Sequence, residues 1–76
     1  MEEVTNETIE LESPEEGMGQ RFRLGISGKL VHQPFHNASS SAAVLERGSD
    51  AQQVTIAPDE TKTVDFEFGD VWTRTA

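Results

Sequence analysis

The sequence predicts an all-β fold: a small antiparallel β-sandwich, immunoglobulin-like or jelly-roll-like, of about five or six strands with an acidic N-terminal arm. Three observations lead to this prediction. Apolar and polar residues alternate in several short runs, which is the period of a strand with one buried face. Gly, Pro and Asp residues separate these runs. No stretch as long as three helical turns has a consistent apolar face.

At 76 residues the chain has room for one small domain. We divide it into an acidic arm with its linker, residues 1–17, and a sandwich domain, residues 18–76. The apolar residues barely suffice to stabilise so small a core, and the chain has no cysteine for a disulfide. Because association is the remaining way to stabilise such a fold, we expect a homo-oligomer.

The arm carries nearly all of the net charge. Residues 1–17 contain seven acidic residues and no basic one, whereas residues 18–76 contain seven acidic and six basic residues. Acidic blocks of this kind are usually solvated tails. Alternatively, Ile9 and Leu11 alternate with glutamates and can pack on a sheet edge or on a neighbouring subunit. The acidity, with only two lysines, also favours a halophilic archaeal source.

The first strand of the sandwich is predicted over residues 20–27. Its apolar face is formed by Phe22, Leu24 and Ile26. Arg21 and Arg23 lie on the opposite face, where they can receive the acidic arm of the same or the next subunit. Two arginines without an interleaved aromatic residue do not indicate a nucleic-acid surface, so no nucleic-acid partner is expected.

The middle of the chain is predicted as short strands and loops. Residues 29–32 form either a second short strand or the far side of a bulge at Gly25 and Gly28, and residues 33–41 form a loop because they contain Pro34 and a run of small polar residues. Residues 42–46 form a further strand, with a single helical turn as the alternative. Residues 71–74 are either a last strand or a docked C-terminal extension.

The clearest element is a hairpin near the end of the chain. Its apolar face is formed by Val54, Ile56, Val64, Phe66 and Phe68, on either side of a turn at Pro58-Asp59. With the intervening Ala57-Pro58-Asp59-Glu60, this hairpin resembles the last strand pair of small immunoglobulin-like modules. The most similar of these are the cell-adhesion-related domains of archaeal and bacterial surface proteins. Asp59 stands where that family has Gly, and the chain is shorter than such domains.

The same short β-rich build resembles accessory proteins of tailed-virus heads, which are decoration, cement, turret or fibre-base subunits. That resemblance implies a cysteine-free, oligomeric structural protein whose arm reaches a neighbour. It also implies a site on the virion or another extracellular assembly surface. The opening Met-Glu-Glu is unlike a signal peptide and no apolar run has the length of a membrane span, so synthesis in the cytoplasm and no membrane insertion are expected.

Catalytic and metal chemistry are not predicted. His32 and His36 are four residues apart, but Pro34 breaks the helix that would pair them, so we interpret both as loop histidines and expect no metal. A calcium site is conceivable among Asp59, Glu60, Asp65, Glu67 and Asp70, although Asp65 and Glu67 belong to the solvent face of a strand. No acid–base or phosphate-binding pattern occurs. We therefore expect no enzyme activity, no cofactor and no small-molecule substrate.

The interface candidates are Ile9, Leu11, Arg21, Arg23, Phe35 and Trp72. Trp72 is either a plug of the core or an anchor at an interface, and Phe35 has the same two interpretations. Asn6 and Asn37 begin the two glycosylation sequons, which coincidence explains in a chain so rich in Ser and Thr.

The sequence thus predicts a structural assembly protein, a virion accessory subunit that binds its neighbours through the arm and loops. One alternative is an acidic inhibitor that mimics nucleic-acid charge, with an arm that is disordered when free. Another is a carbohydrate- or receptor-binding module, with Phe35, His36 and Trp72 on one exposed surface.

Overall fold

A computed structural model describes all 76 residues and shows two four-stranded sheets around one core. In chain order the elements are β1 Glu2–Thr5, β2 Ile9–Leu11, α1 Pro14–Gly17, β3 Arg21–Phe22, β4 Lys29–Asn37, β5 Ala43–Arg47, β6 Gln53–Ile56, β7 Thr61–Phe66 and β8 Trp72–Arg74. The all-β prediction is confirmed. α1 is a turn of four residues, and the chain contains no helix with the length and apolarity needed to cross a membrane.

The sheet built on β4, which we call sheet A, is mixed. β4 is its central strand and pairs antiparallel with β7. On its other side β4 pairs in parallel with β1 and then with β2. The strands within residues 18–76 pair antiparallel, as predicted, and the parallel pairs, which were not predicted, are those of the arm. Residues 12–28 take the chain through β3 of the other sheet before it returns in β4, and a parallel pair needs such a crossover of about a dozen residues or more.

The second sheet, sheet B, has the order β3-β8-β5-β6, and all its pairs are antiparallel. This order corrects the predicted hairpin, because β6 pairs with β5 while β7 pairs with β4. The turn at Pro58-Asp59 thus carries the chain from one sheet to the other. Phe68, predicted on the apolar face, is 70% exposed because β7 ends at Phe66.

β4 runs straight through the region predicted as a loop, and Pro34 lies in its middle. The Asn37 main chain bonds towards the β7 side, with Glu60 and Asp59, whereas the His32 carbonyl accepts a bond from the arm. Because backbone groups alternate in direction along a strand, those of Pro34 face the arm. There β1 has ended opposite His32, and β2 begins only opposite Phe35. The missing N–H of Pro34 therefore costs no ladder bond.

The first predicted body strand is much shorter than expected. Only Arg21 and Phe22 pair with β8, after which the chain leaves the sheet. Phe22 is buried, Leu24 packs partly against the core, and Ile26 is exposed. The strand predicted over residues 42–46 is present as β5, and the C-terminal segment forms β8.

The core takes side chains from both sheets. Its buried apolar members are Leu11, Phe22, Val31, Phe35, Ala43, Leu45, Ile56, Val64, Phe66 and Trp72. Aromatic rings hold the centre together: Phe22 and Phe35 meet edge to face at 5.0 Å between centroids. Phe66 and Trp72 lie 6.2 Å apart. Since Leu11 belongs to this core, the two arm strands form an edge of sheet A, which is the sheet-edge alternative given for Ile9 and Leu11.

Candidate functional site

The arm lies along β4 in two pieces, and we call this contact the arm seam. Residues Glu2–Thr5 pair with Lys29–His32, and Ile9–Leu11 pair with Phe35–Asn37. The Gln33 side chain fills the gap between the two pieces, where its Nε2 donates to the Glu7 carbonyl at 2.7 Å. The arm is thus hydrogen-bonded to β4 along almost its full length.

His32 lies on the outer face of β4, between the arm and β7. Its Nε2 is 2.7 Å from Glu3 Oε1 on β1, and its Nδ1 is 2.6 Å from Asp65 Oδ1 on β7. The imidazole therefore joins three neighbouring strands across the solvent side of sheet A.

His36 repeats the arrangement one step further along the arm. Its Nδ1 is 2.7 Å from Glu10 Oε2 on β2, and its Nε2 is 2.9 Å from Asp59 Oδ1 in the turn before β7. The prediction of loop histidines is wrong, because β4 continues through both residues. Pro34 does exclude a helix that would pair the two histidines. In a strand, however, residues four apart also lie on the same face, so His32 and His36 share the outer face of β4.

The geometry defines the charge of both histidines. Each ring nitrogen faces a carboxylate oxygen, which only accepts hydrogen bonds, and a neutral imidazole has only one N–H to donate. Both contacts of each ring are therefore hydrogen bonds only when the ring is an imidazolium ion. The pKa of His32 is raised above its usual 6.5 by the hydrogen bonds to Asp65 and then Glu3. The pKa of His36 is raised in the same way by Glu10 and then Asp59.

The apolar side of the arm seam is inside the protein. Leu11 is only 1% exposed, and Ile9 packs partly against the core beside it. Phe35 and Trp72 are also buried, so the core-plug interpretation of Trp72 is the one that the fold shows. The Arg47 guanidinium covers the Trp72 ring at 5.5 Å from its centroid. A binding surface shared by Phe35, His36 and Trp72 does not form, because Phe35 and His36 lie on opposite faces of β4.

Within the chain, Arg21 and Arg23 do not receive the arm. Arg21 and Arg23 are exposed and form no salt bridge within 4.0 Å in the chain. The arm is bound instead by His32, His36 and Lys29, whose Nζ is 3.1 Å from Glu2. The sequence signal for the two histidines was their even numbering, which places both on the less buried face of a strand, but the loop prediction concealed it.

Arg23 lines a shallow depression of about 210 Å³ beside Phe68 and Asp70. The Asp70 carboxylate is engaged in its own turn, where it accepts a bond from the Glu67 N–H at 2.8 Å. The depression is therefore lined by the exposed Phe68 ring, by Arg23 without a salt-bridge partner, and by an Asp70 carboxylate that is already hydrogen-bonded within its turn.

The proposed calcium ligands are distributed among other contacts. Asp59 and Asp65 bind the histidines, and Glu60 accepts from the Ala57 N–H at 2.8 Å. No group of three or more His, Cys, Asp or Glu side chains is arranged to hold a metal ion.

Asn37, the second sequon asparagine, is fully buried. Its Nδ2 donates to the carbonyls of Ser41 and Ile56, at 2.8 and 3.0 Å. The folded protein therefore presents no glycan acceptor there, which corrects that candidate. Asn6 is half-buried in the gap between the two arm strands.

Sequence reasoning missed Arg74, which is 1% exposed. Its Nε donates to the Ala76 main-chain oxygen at 3.0 Å, but Nη1 and Nη2 have no acceptor. Burial lowers the pKa of this guanidinium. The signal was available, because period 2 places Arg74 on the same inward face as Trp72.

No family model matches the chain, and comparison with curated proteins and with solved structures likewise finds no match.

Proposed function

We propose that the chain is a structural assembly subunit that binds further copies of itself by exchanging its N-terminal arm. The observation that carries this proposal is the position of the arm. It completes sheet A from the edge and places Leu11 in the core. Its covalent connection to the rest of the chain is a single linker, residues 12–20. An arm from a second copy would make the same contacts on β4, which is the general basis of domain swapping.

The linker is long enough for exchange. Residues 12–20 separate β2 from β3, and nine extended residues span up to about 30 Å. The molecule measures 36 × 23 × 17 Å, so an extended linker reaches past a neighbour in either of the two shorter directions. Gly19, at a φ of 85°, gives the linker a position where the backbone turns freely.

The charge supports assembly at high salt. The formal charge is −8, so copies repel one another in dilute salt. Molar salt reduces the screening length to about 3 Å and removes this barrier. A virion or extracellular surface is the setting that the resemblance to tailed-virus accessory proteins suggests. On this proposal the two sheets are an immunoglobulin-like or jelly-roll-like variant that uses its edge for assembly.

The alternatives receive less support. The inhibitor hypothesis requires a free acidic arm, whereas here the arm carboxylates Glu2, Glu3 and Glu10 are bound to β4 side chains. The carbohydrate-binding hypothesis requires Phe35 and Trp72 at the surface, and both are buried.

Cysteine pairing tests the exchange, since the chain has no cysteine of its own. Val4 and Val31 are register partners across the arm seam. Neighbouring strands lie about 4.8 Å apart, within the range that a disulfide spans. We would mix Val4→Cys protein with Val31→Cys protein in about 2 M potassium chloride and oxidise the mixture. Arm exchange predicts a mixed disulfide dimer.

The matched control is the double variant Val4→Cys/Val31→Cys, which should form an internal disulfide when dilute. An internal disulfide in the control together with no mixed dimer would exclude exchange. Sedimentation in about 0.15 M and about 2 M potassium chloride adds the native mass, and a monomer in both conditions would contradict an assembly subunit.

A further inference from the structure

The two histidines divide the arm seam between them. His32 binds the first arm strand through Glu3, and His36 binds the second through Glu10. Each ring is held on its far side by another carboxylate, from Asp65 or from Asp59. Every histidine contact that holds the arm is therefore one half of a carboxylate–imidazolium–carboxylate bridge.

Such a bridge does not survive loss of one proton. A neutral imidazole donates from one nitrogen and presents a lone pair on the other. Here both nitrogens face carboxylates, so the second contact becomes repulsive. Whichever tautomer forms, each bridge changes from two attractive contacts to one attractive and one repulsive contact.

No other cation compensates for this loss. The charged groups that face His32 are Glu3 from β1 and Asp65 from β7. Those that face His36 are Glu10 from β2 and Asp59 from the turn.

The remaining basic residues of sheet A are engaged elsewhere. Lys29 pairs with Glu2, and Lys62 donates to the Thr55 carbonyl at 2.6 Å on the sheet B side. Deprotonation would thus leave two separate pairs of carboxylates, Glu3 with Asp65 and Glu10 with Asp59, each around a neutral ring without a counter-ion, which is unfavourable.

We propose that His32 and His36 form a protonation-dependent clamp, which holds the arm on β4 at mildly acidic pH and frees it as the pH rises. The clamp operates within a single chain. Its use as a control of exchange between copies rests on the proposed function.

The direction of the pH effect follows from the raised pKa values. Because both pKa values are higher in the closed clamp than the usual 6.5, the clamp is fully formed below that value. It is lost as the pH rises through the raised values. The arm is therefore bound more tightly at mildly acidic pH than at alkaline pH.

The two arm strands should not respond equally. β2 keeps its apolar anchors, Leu11 and Ile9, at every pH. β1 has only the half-buried Val4 and is otherwise exposed. The first strand therefore depends more on its histidine, and it should open before the second.

Amide hydrogen exchange in the full-length protein, kept dilute and monomeric, tests the clamp. The Asn6 N–H donates to the His32 carbonyl and reports on β1, while the Ala38 N–H donates to the Leu11 carbonyl and reports on β2. The Gly48 N–H, bonded to Val71 in sheet B, is the internal reference. Protection factors, corrected for intrinsic exchange rates, are compared between about pH 6 and about pH 9.

We expect the protection of Asn6 to fall about tenfold for each unit by which closure raises the His32 pKa. Ala38 should change less, and Gly48 should change no more than the global free energy of unfolding does. His32→Gln should abolish the pH dependence at Asn6 and retain it at Ala38, whereas His36→Gln should do the reverse. Unchanged Gly48 protection shows that each variant is folded.

The clamp would be overturned if the protection factor of the Asn6 N–H did not depend on pH in the natural sequence. It would also be overturned if His32→Gln left the pH dependence of that protection factor unchanged. The cysteine-pairing experiment can show no exchange of arms between copies while the histidine clamp is still present within each chain. Conversely, hydrogen exchange can show no clamp while arms still exchange between copies. The two proposals are therefore tested separately.

Discussion

Asn37 and Arg74 are both buried polar residues, but their surroundings differ completely. The amide of Asn37 donates to two carbonyls, and its Oδ1 accepts from the N–H and hydroxyl of Ser39. A satisfied buried amide specifies its site and adds to stability. The Arg74 side chain makes one hydrogen bond, from Nε, and leaves Nη1 and Nη2 without an acceptor. Its burial is therefore a cost that the aliphatic part of the side chain only partly offsets.

Replacement of Arg74 by Met should stabilise the protein. Met fills a similar volume and removes the desolvation penalty of the guanidinium, so we expect the free energy of unfolding to rise by about 1–2 kcal/mol. Urea unfolding at neutral pH measures the change. Arg47→Met is the matched control. Because the Arg47 guanidinium is hydrogen-bonded to Asp50 and Gln52, its replacement should lower the free energy of unfolding. A loss of more than about 1 kcal/mol in Arg74→Met would show that the guanidinium has an acceptor in solution.

At the level of elements, the sequence pattern predicts strands better than their partners. Alternation at Val54 and Ile56 and again at Val64 and Phe66 correctly identified β6 and β7, but the two strands lie in different sheets. Alternation shows which face of a strand is buried but not which strand lies beside it. The predicted pairing of β6 with β7 and the observed pairings with β5 and β4 bury the same faces. Pro34 led to the opposite error, the prediction of a loop where β4 continues. Proline interrupts a strand only where its missing N–H would have formed a hydrogen bond with the neighbouring strand.

The arm should contribute to global stability as an element of the core. Leu11→Ala removes a fully buried side chain, and we expect it to lower the free energy of unfolding by about 2–4 kcal/mol. Met18→Ala, at an exposed residue of the linker, is the control and should change it by less than about 0.5 kcal/mol. Equal effects of the two substitutions in urea unfolding would mean that the arm is a solvated tail after all.

For the whole molecule, the charge distribution makes stability depend on pH at both ends of the range. The Arg47 hydrogen bond, followed by the Gln52 N–H, lowers the pKa of Asp50 to about 2. Its contribution is present above the ordinary value of 3.8 and is lost as the pH falls towards that lowered value. The histidine bridges act at the other end, because their raised pKa values make their contribution decline as the pH rises above 6.5.

We therefore expect maximal stability at mildly acidic pH, with a decline towards about pH 9. In His32→Gln/His36→Gln the alkaline decline should disappear while the acid limb remains. Asp50→Asn should reduce the acid limb and leave the alkaline decline intact, so it serves as the reciprocal control. Urea unfolding across the pH range measures both limbs. Stability that increases from about pH 6 to about pH 9 in the natural sequence would contradict this account.

The sequence by itself determined the fold class and much of the core. Hydrophobic alternation is a local property, so Phe22, Val64, Phe66 and the strands that contain them could be identified from their neighbours in the chain. For Ile9 and Leu11 the same pattern offered packing on a sheet edge as one of two alternatives, and the solvated tail was the other.

Only the tertiary structure decided which strands are neighbours. Parallel docking of the arm brings Glu3 and Glu10 to histidines that are 29 and 26 residues away in the chain. Pairing across such separations depends on the crossover through the second sheet and on the core that closes beneath it. Single-residue patterns carry no record of these long-range partners, which is why the carboxylate contacts of His32 and His36 emerge only from the folded chain.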